Sequence, residues 1–217
     1  MQESLDSGVN RALVERAVAA ARFGLETEIG ELQGLLERLD IQIEHSLGLL
    51  VACHGRVVVT GLGKSGLIGA KISATFSSTG TPSFFLHSTE ALHGDSGVLS
   101  GGDLLLAISN SGETVEVCAV AQMASESGIS VIAMTGKSDS TLAKLADVVL
   151  DISISREADP LNLAPTSSTT LTLAMGDALA CALMAARNFT AEDFARRHPS
   201  GALGKQLKGS GTSGVRS

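Results

Sequence analysis

Three short stretches of this 217-residue chain carry the residue types that hold a phosphate. GLGKSG, Gly61 to Gly66, sets Lys64 and Ser65 in a glycine turn between a β-branched run and a helical pattern. SNSGET, Ser109 to Thr114, follows a second apolar run and offers Ser109, Asn110, Ser111 and Thr114 around a glycine. PTSST, Pro165 to Thr169, brings Ser167 and Ser168 to the head of a long apolar segment. At each helix start the unpaired backbone N–H groups and the helix dipole favour an anion. One such stretch reads as ordinary N-capping. Three at the ends of strands in one parallel sheet point to a phosphate pocket, because open α/β sheets bind ligands outside the carboxyl ends of their strands.

GLGKSG also matches two nucleotide signatures, and its surroundings reject both. As G-x-G-x-x-G it needs an acidic residue about 20 positions on, at the end of the second strand, for the ribose hydroxyls. FFLHS puts His87 and Ser88 there, with Glu90 only later. As the tail of a triphosphate loop it needs glycine at position 58, which is Val58. An anion turn of Gly63, Lys64 and Ser65 remains, beside the plainer reading of a structural turn with an exposed lysine.

His87, Glu90 and His93 are of metal-ligand type, but H-x-x-E-x-x-H is not the spacing of a zinc-protease helix. They are expected to line the pocket, His93 best placed, with His87 and His93 holding a metal only incidentally. The spacing itself calls for no required metal. Glu116, Glu157 and His198 each have an ordinary reading: a solvated first-turn glutamate, a polar loop residue before Pro160, and a turn residue before Pro199. Asp177, inside an apolar segment, reads as a satisfied core carboxylate.

These residues must be positioned by alternating strands and helices. Strands are expected at RVVVTG from Arg56, Ser83 to Leu86, Asp103 to Ile108, Ile129 to Thr135 and Val148 to Ile152. Helices are expected at Lys64 to Ser78, Glu113 to Ser127, Ser140 to Leu145 and Ser167 to Ala186, the last apolar almost all round and therefore central. Continuous apolar strands alternating with helices predict an α/β fold, a parallel sheet covered on both faces. Upstream, Leu25, Ile29, Leu32, Leu36, Leu39, Ile43, Leu47 and Leu50 recur at threes and fours, one stripe of a long helix. The stripe suits the domain's own core or a second subunit equally. Residues 1–54 are read as this helical region, 55–207 as the main domain and 208–217, GSGTSGVRS with the lysine before it, as a flexible tail.

Composition narrows the function classes. Hydrophobic residues make up 44% and charged residues 18%, which fits a globular protein. Six Phe with no Trp or Tyr argue against a stacking platform for single strands, and a net charge of −7 argues against nucleic acid as partner. Cys53, Cys118 and Cys181 are scattered and read as buried free thiols of a reducing, cytoplasmic compartment. MQESLDSGVN has no signal-peptide core, and no uninterrupted apolar run of about 18 residues suggests a membrane span.

GLGKSG, EALHGD, SNSGET, READPLNLAPTSST and HPSGALGKQL, in this order, resemble the sugar-isomerase (SIS) family over roughly Ser4 to Leu207. The combination is most similar to the arabinose-5-phosphate isomerases of the 3-deoxy-manno-octulosonate (Kdo) pathway. The resemblance implies a three-layer sandwich with a five-stranded parallel sheet. It implies a reversible, cofactor-free interconversion of arabinose 5-phosphate and ribulose 5-phosphate through an enediol. It implies a homo-oligomer, usually a tetramer, whose sites a neighbouring subunit completes. It places Lys64, Glu116, Glu157 and His198 at the family's catalytic positions: Lys64 against the enediolate oxygens, a glutamate as proton shuttle, and His198 for ring opening or proton relay. Which glutamate is the base stays open. Many members continue into paired CBS modules, whereas this sequence ends ten residues after Leu207, as a SIS-only isomerase or a shortened chain would. Ser88 stands where the family commonly has proline.

Overall fold

The computed structural model describes residues 10–39 and 41–199. The expected flexible tail and the SGALGKQL part of the last motif lie outside the described residues. Five parallel strands, β1 (Val57–Gly61), β2 (Ser83–His87), β3 (Leu104–Ile108), β4 (Ser130–Thr135) and β5 (Val148–Asp151), form one sheet in the order β2-β1-β3-β4-β5. β1 and β3 are central and buried at every residue, which is why they read as unbroken apolar runs.

Side-chain alternation divides the core. Val57, Val59, Leu104, Leu106 and Ile108 face α3 (Gly63–Ser78) and α7 (Ser167–Ala186), with α1 (Arg11–Glu37) and α2 (Ile41–Ala52) against the same layer. Val58, Leu105, Ala107, Val131 and Ala133 face the opposite way, toward α4 (Ser88–Leu92), α5 (Val115–Glu126) and α6 (Thr141–Leu145). A short 3-10 turn (Asp95–Val98) and α8 (Ala191–Arg197) complete the described chain. Neither these two nor α4 stood out in the sequence; each is only four to seven residues long.

α7 has the length and apolar content of a bilayer span. Its Leu171, Met175, Leu179 and Leu183 instead lie in the core, and Gly176 sits so close to α3 that a methyl group there would come within 2.4 Å of Ile72. It is not enclosed all round: Cys181 is exposed, Cys53 is half-buried, and only Cys118 of the three free thiols is buried.

The expected long upstream helix is two helices. Arg38 caps α1, its N–H bonded to the Leu35 and Leu36 carbonyls, while its guanidinium reaches the Ser153 carbonyl (2.7 Å) and Asp151 (3.4 Å). The stripe is divided as well. Leu50 is buried and Leu32, Ile43 and Leu47 are packed against the core, but Leu25, Ile29, Leu36 and Leu39 are exposed. The first three turns of α1 are exposed on every side, because the helix outruns the domain it packs on.

Candidate functional site

The winding of the sheet reverses between β1 and β3, and Gly61 pairs with Ile108 across that boundary. GLGKSG and SNSGET therefore leave the sheet side by side, about 4.8 Å apart at the strand ends. α3 begins at Gly63, whose φ of +57° turns the chain out of the strand. Gly61 and Gly66 let the helix close onto it: a Cβ on Gly66 would sit 3.0 Å from the Gly61 carbonyl oxygen. The N-cap of α3 is Leu62, which has no side-chain acceptor, and Thr114 at the α5 N-cap gives its helix none either. Two helix N-termini, one on each face of the sheet, thus start from neighbouring strand ends with first-turn N–H groups uncapped by side chains, an anion-binding arrangement at a switch-point crevice. Lys64 stands exposed on the first turn of α3 and Glu116 half-buried on the first turn of α5. Neither side chain has a hydrogen bond or ion pair with any other described residue.

The SNSGET loop is held by its own hydrogen bonds. Ser109 Oγ lies 2.9 Å from Thr114 Oγ1 and accepts the Gly112 N–H (3.1 Å), and Ser111 Oγ accepts the Glu113 N–H (3.2 Å). The turn after β4 grips it from the side. Gly136 N–H donates to the Asn110 carbonyl (3.0 Å) and Leu142 N–H to the Gly112 carbonyl (3.0 Å). The Glu113 carboxylate accepts the Thr141 N–H (2.9 Å) and hydroxyl (2.7 Å), and these bonds hold its carboxyl below the usual carboxylate range. Ser140 caps α6 at the same point.

At the end of β2, Ser88 is buried with its Oγ 3.0 Å from Thr60 Oγ1, and Thr60 donates to the Leu86 carbonyl (2.7 Å). This serine ties β1 to β2. His87 packs edge-on to Phe85, with Nδ1 buried and unpartnered among the described residues. His93 is exposed at the end of α4. Among the described residues no three His, Cys, Asp or Glu side chains come together as a metal site would require, so the H-x-x-E-x-x-H spacing does not converge.

The third hydroxyl loop is organised differently. The buried Glu157 carboxylate sits on the α7 N-terminus: Oε2 accepts Thr166 N–H (2.8 Å), Thr166 Oγ1 (3.1 Å) and Ser168 N–H (3.1 Å), and Oε1 accepts the Ser168 hydroxyl. An internal anion already occupies this helix end, and the Ser168 hydroxyl is committed to it. Ser167 Oγ is buried and unpartnered among the described residues. Glu157 keeps one oxygen with a lone pair to spare. Its backbone N–H donates to Asn162 Oδ1 (2.6 Å), and Asp159 accepts the N–H groups of Leu161, Leu163 and Ala164.

Nothing in the sequence singles out Glu31. This α1 carboxylate is buried against a segment more than 120 residues away, accepting Ser155 N–H (3.0 and 3.1 Å), the Ser155 hydroxyl and Arg156 N–H (3.1 Å). Burial pushes its carboxyl up, but the Ser155 and Arg156 bonds, with Arg38 nearby, outweigh burial and hold it below the usual range.

His198 and Asp177 lie elsewhere. His198 follows α8, stacked on Phe194 (ring centroids 4.0 Å apart) with Nδ1 2.9 Å from the Phe194 carbonyl oxygen. The neighbouring Arg197 bonds the Ser77 carbonyl at the far end of α3. Ser77 is 13 residues beyond Lys64, about 20 Å along the helix. Within one chain, His198 is at the amino edge of the sheet and Lys64 at the carboxyl edge. Asp177 is not a core carboxylate: it is partly exposed and ion-paired with Lys71 at 2.5 Å.

Residues 50–182 match the SIS domain family. The chain is 54% identical over 189 residues to the arabinose 5-phosphate isomerase KdsD of Pseudomonas aeruginosa, covering 87% of this chain and 57% of that protein. It is 51% identical over 193 residues to the arabinose 5-phosphate isomerase GutQ of Escherichia coli K12, covering 89% and 60%. The chain thus spans less than two thirds of the length of these curated relatives. An Escherichia coli CFT073 protein solved in complex with arabinose 5-phosphate superposes with a TM-score of 0.82 at 38% identity, over 88% of this chain and all of that one.

Proposed function

The chain belongs to the SIS domain family, and on that premise we propose that it is an isomerase interconverting arabinose 5-phosphate and ribulose 5-phosphate. The observation that carries this reading is the β1/β3 crevice, where two uncapped helix N-termini start from neighbouring strand ends and carry the unpaired Lys64 and Glu116 on their first turns. An anion cradle, a cation and a free carboxylate are what an enediol isomerisation of a phosphosugar needs. The helix N-termini, with Gly63, Ser65, Ser109, Asn110, Ser111 and Thr114, hold the phosphate and hydroxyls, and His93 and Ser167 flank the sugar. Glu116 takes the C2 proton of the open-chain aldose, exchanges it with water and delivers a proton to C1, while the proton of the C2 hydroxyl passes to the C1 oxygen. Lys64 offsets the charge that develops on the enediolate oxygen. Glu157 fixes the α7 terminus and keeps Oε1 for a sugar hydroxyl. The 54% and 51% identical relatives named arabinose 5-phosphate isomerases, and the similar structure solved with that sugar phosphate, support the choice of substrate.

The same reading includes a homo-oligomer, a tetramer, with shared sites. His198 reaches a Lys64 crevice only from a neighbouring subunit if each chain keeps this fold, and the exposed stripe of α1 supplies an apolar surface for such a neighbour. A cytoplasmic enzyme feeding Kdo synthesis follows from this choice of reaction.

The test is incubation with ribulose 5-phosphate and a chelator in heavy water, followed by NMR. Arabinose 5-phosphate deuterated at C2 is expected. Binding without turnover would mean a phosphosugar sensor, and a different aldose would mean a different substrate.

A further inference from the structure

Residues 152–166, between β5 and α7, form neither helix nor strand. Segments this long without regular structure are usually functional or mobile. This one is fastened by carboxylates, and α1 supplies the outermost of them. Glu31 gathers the Ser155 and Arg156 donors, Arg38 holds the Ser153 carbonyl, and the Arg156 guanidinium lies over Phe23, 4.8 Å from the ring centroid. Arg156 Nε in turn donates to the Glu157 carbonyl (3.1 Å). The next residue along the chain is Glu157, seated on the α7 terminus.

We propose that Glu31 is a positioning residue of the site: through Ser155 and Arg156 it sets where Glu157 and the α7 N-terminus stand. The N-terminal helix is then part of the catalytic framework as well as an outer layer. The chemistry of Glu31 favours this role over packing alone. A buried charge is a poor source of net stability compared with an apolar side chain of similar volume. What a carboxylate does here that an apolar group cannot is draw a hydroxyl and two consecutive backbone N–H groups to one point, fixing the backbone directly before Glu157. The proposal rests on the reading of the Glu157 edge as part of a phosphosugar site.

The experiment compares Glu31→Gln and Glu31→Asp with the parent chain well below the melting temperature of each. Steady-state isomerisation of ribulose 5-phosphate, inhibition by inorganic phosphate, and hydrogen exchange of peptides covering residues 153–163 are measured together. Glu31→Gln is expected to lower kcat at least tenfold, with KM and phosphate inhibition within about twofold and exchange in 153–163 at least tenfold faster, while β1 and β3 peptides are unchanged. Glu31→Asp should recover part of kcat. Unchanged kcat with faster exchange would reduce Glu31 to a packing role, and unchanged exchange would overturn the proposal outright. A uniform fall in kcat and rise in KM, tracking lost folded protein, would also overturn it. If the parent chain does not isomerise the sugar, the functional reading fails by itself, and Glu31's hold on the segment stands or falls on exchange alone. If Glu31→Gln does not fold, Ser155→Ala removes one donor from an exposed position and is read the same way, with a smaller fall in kcat.

Discussion

Gly112 offers the sharpest test of a clamped phosphate loop. Its φ is +67°, and a Cβ there would lie 2.0 Å from Ser140 Oγ, 2.4 Å from Ser140 Cβ and 2.9 Å from Thr135 Oγ1. Gly112→Ala therefore meets two penalties. The left-handed backbone costs about 1–2 kcal/mol for a residue with a side chain. The overlap cannot be relieved by one flexible tip, because Ser140 is the N-cap of α6 and the loop is bonded through Leu142 and Glu113; overpacking of this kind costs about 1–3 kcal/mol. A total near 3 kcal/mol lowers the melting temperature of a chain of this size by about 6–12 °C. If the loop gives way in place of Ser140, KM for the phosphosugar rises as well, because Ser109 and Thr114 move with it. Thermal unfolding and steady-state kinetics read the two effects. Adding Ser140→Gly should recover most of the overlap part, less the lost α6 cap, and leave the backbone part and the Thr135 contact. A variant with parental melting temperature and KM would refute the clamped-loop reasoning, and a double variant no better than the single one would refute the steric account.

The other expectations follow from the same geometry. Glu116→Gln should lower kcat by about 10²–10⁴-fold with KM and melting temperature near parental values; Glu157→Gln should lower both kcat and melting temperature, because it also unseats the α7 cap, and full activity in both would remove the glutamates from proton transfer. Lys64→Ala and His198→Ala chains, each weak alone, should regain activity when dissociated and mixed, whereas no regain would place His198 outside a shared site. Asp103→Asn should cost about 1–3 kcal/mol while leaving kcat and KM at neutral pH unchanged, since Asp103 joins β1 to β3 at the amino edge through Arg56 and Ser100. Burial pushes the Asp103 carboxyl up, but the Arg56 and Ser100 bonds hold it below the usual range. Its stabilisation is fully present above the unfolded value of about 3.9 and is lost as pH falls through the lower folded value. Denaturant melts across that acid range should be steeper in pH for the parent than for Asp103→Asn.

The sheet and the two turns of the crevice were legible in the chain before any fold was known. Runs such as VVVTG and LLLAI are buried on both faces, so hydrophobicity alone marks them, and each ends in glycine or small polar residues where a tight turn must follow. GLGKSG and SNSGET are contiguous, and their chemistry survives being read one letter at a time. β2 ends at His87, so the strand end that a dinucleotide fold needs to be acidic is the one the sequence marks. Tertiary structure settled the rest, because the deciding contacts are between residues far apart in the chain. PTSST looked like a third open phosphate loop until Glu157 was found on its helix end. Glu31 is an ordinary helical glutamate until Ser155 and Arg156 fold against it. His198 shares a chain with Lys64 yet sits a helix length away, since α3 runs the full depth of the sheet between them. The α1 stripe was legible as a period, but which of its leucines the domain covers depends on where the sheet ends, and a linear pattern carries no record of that.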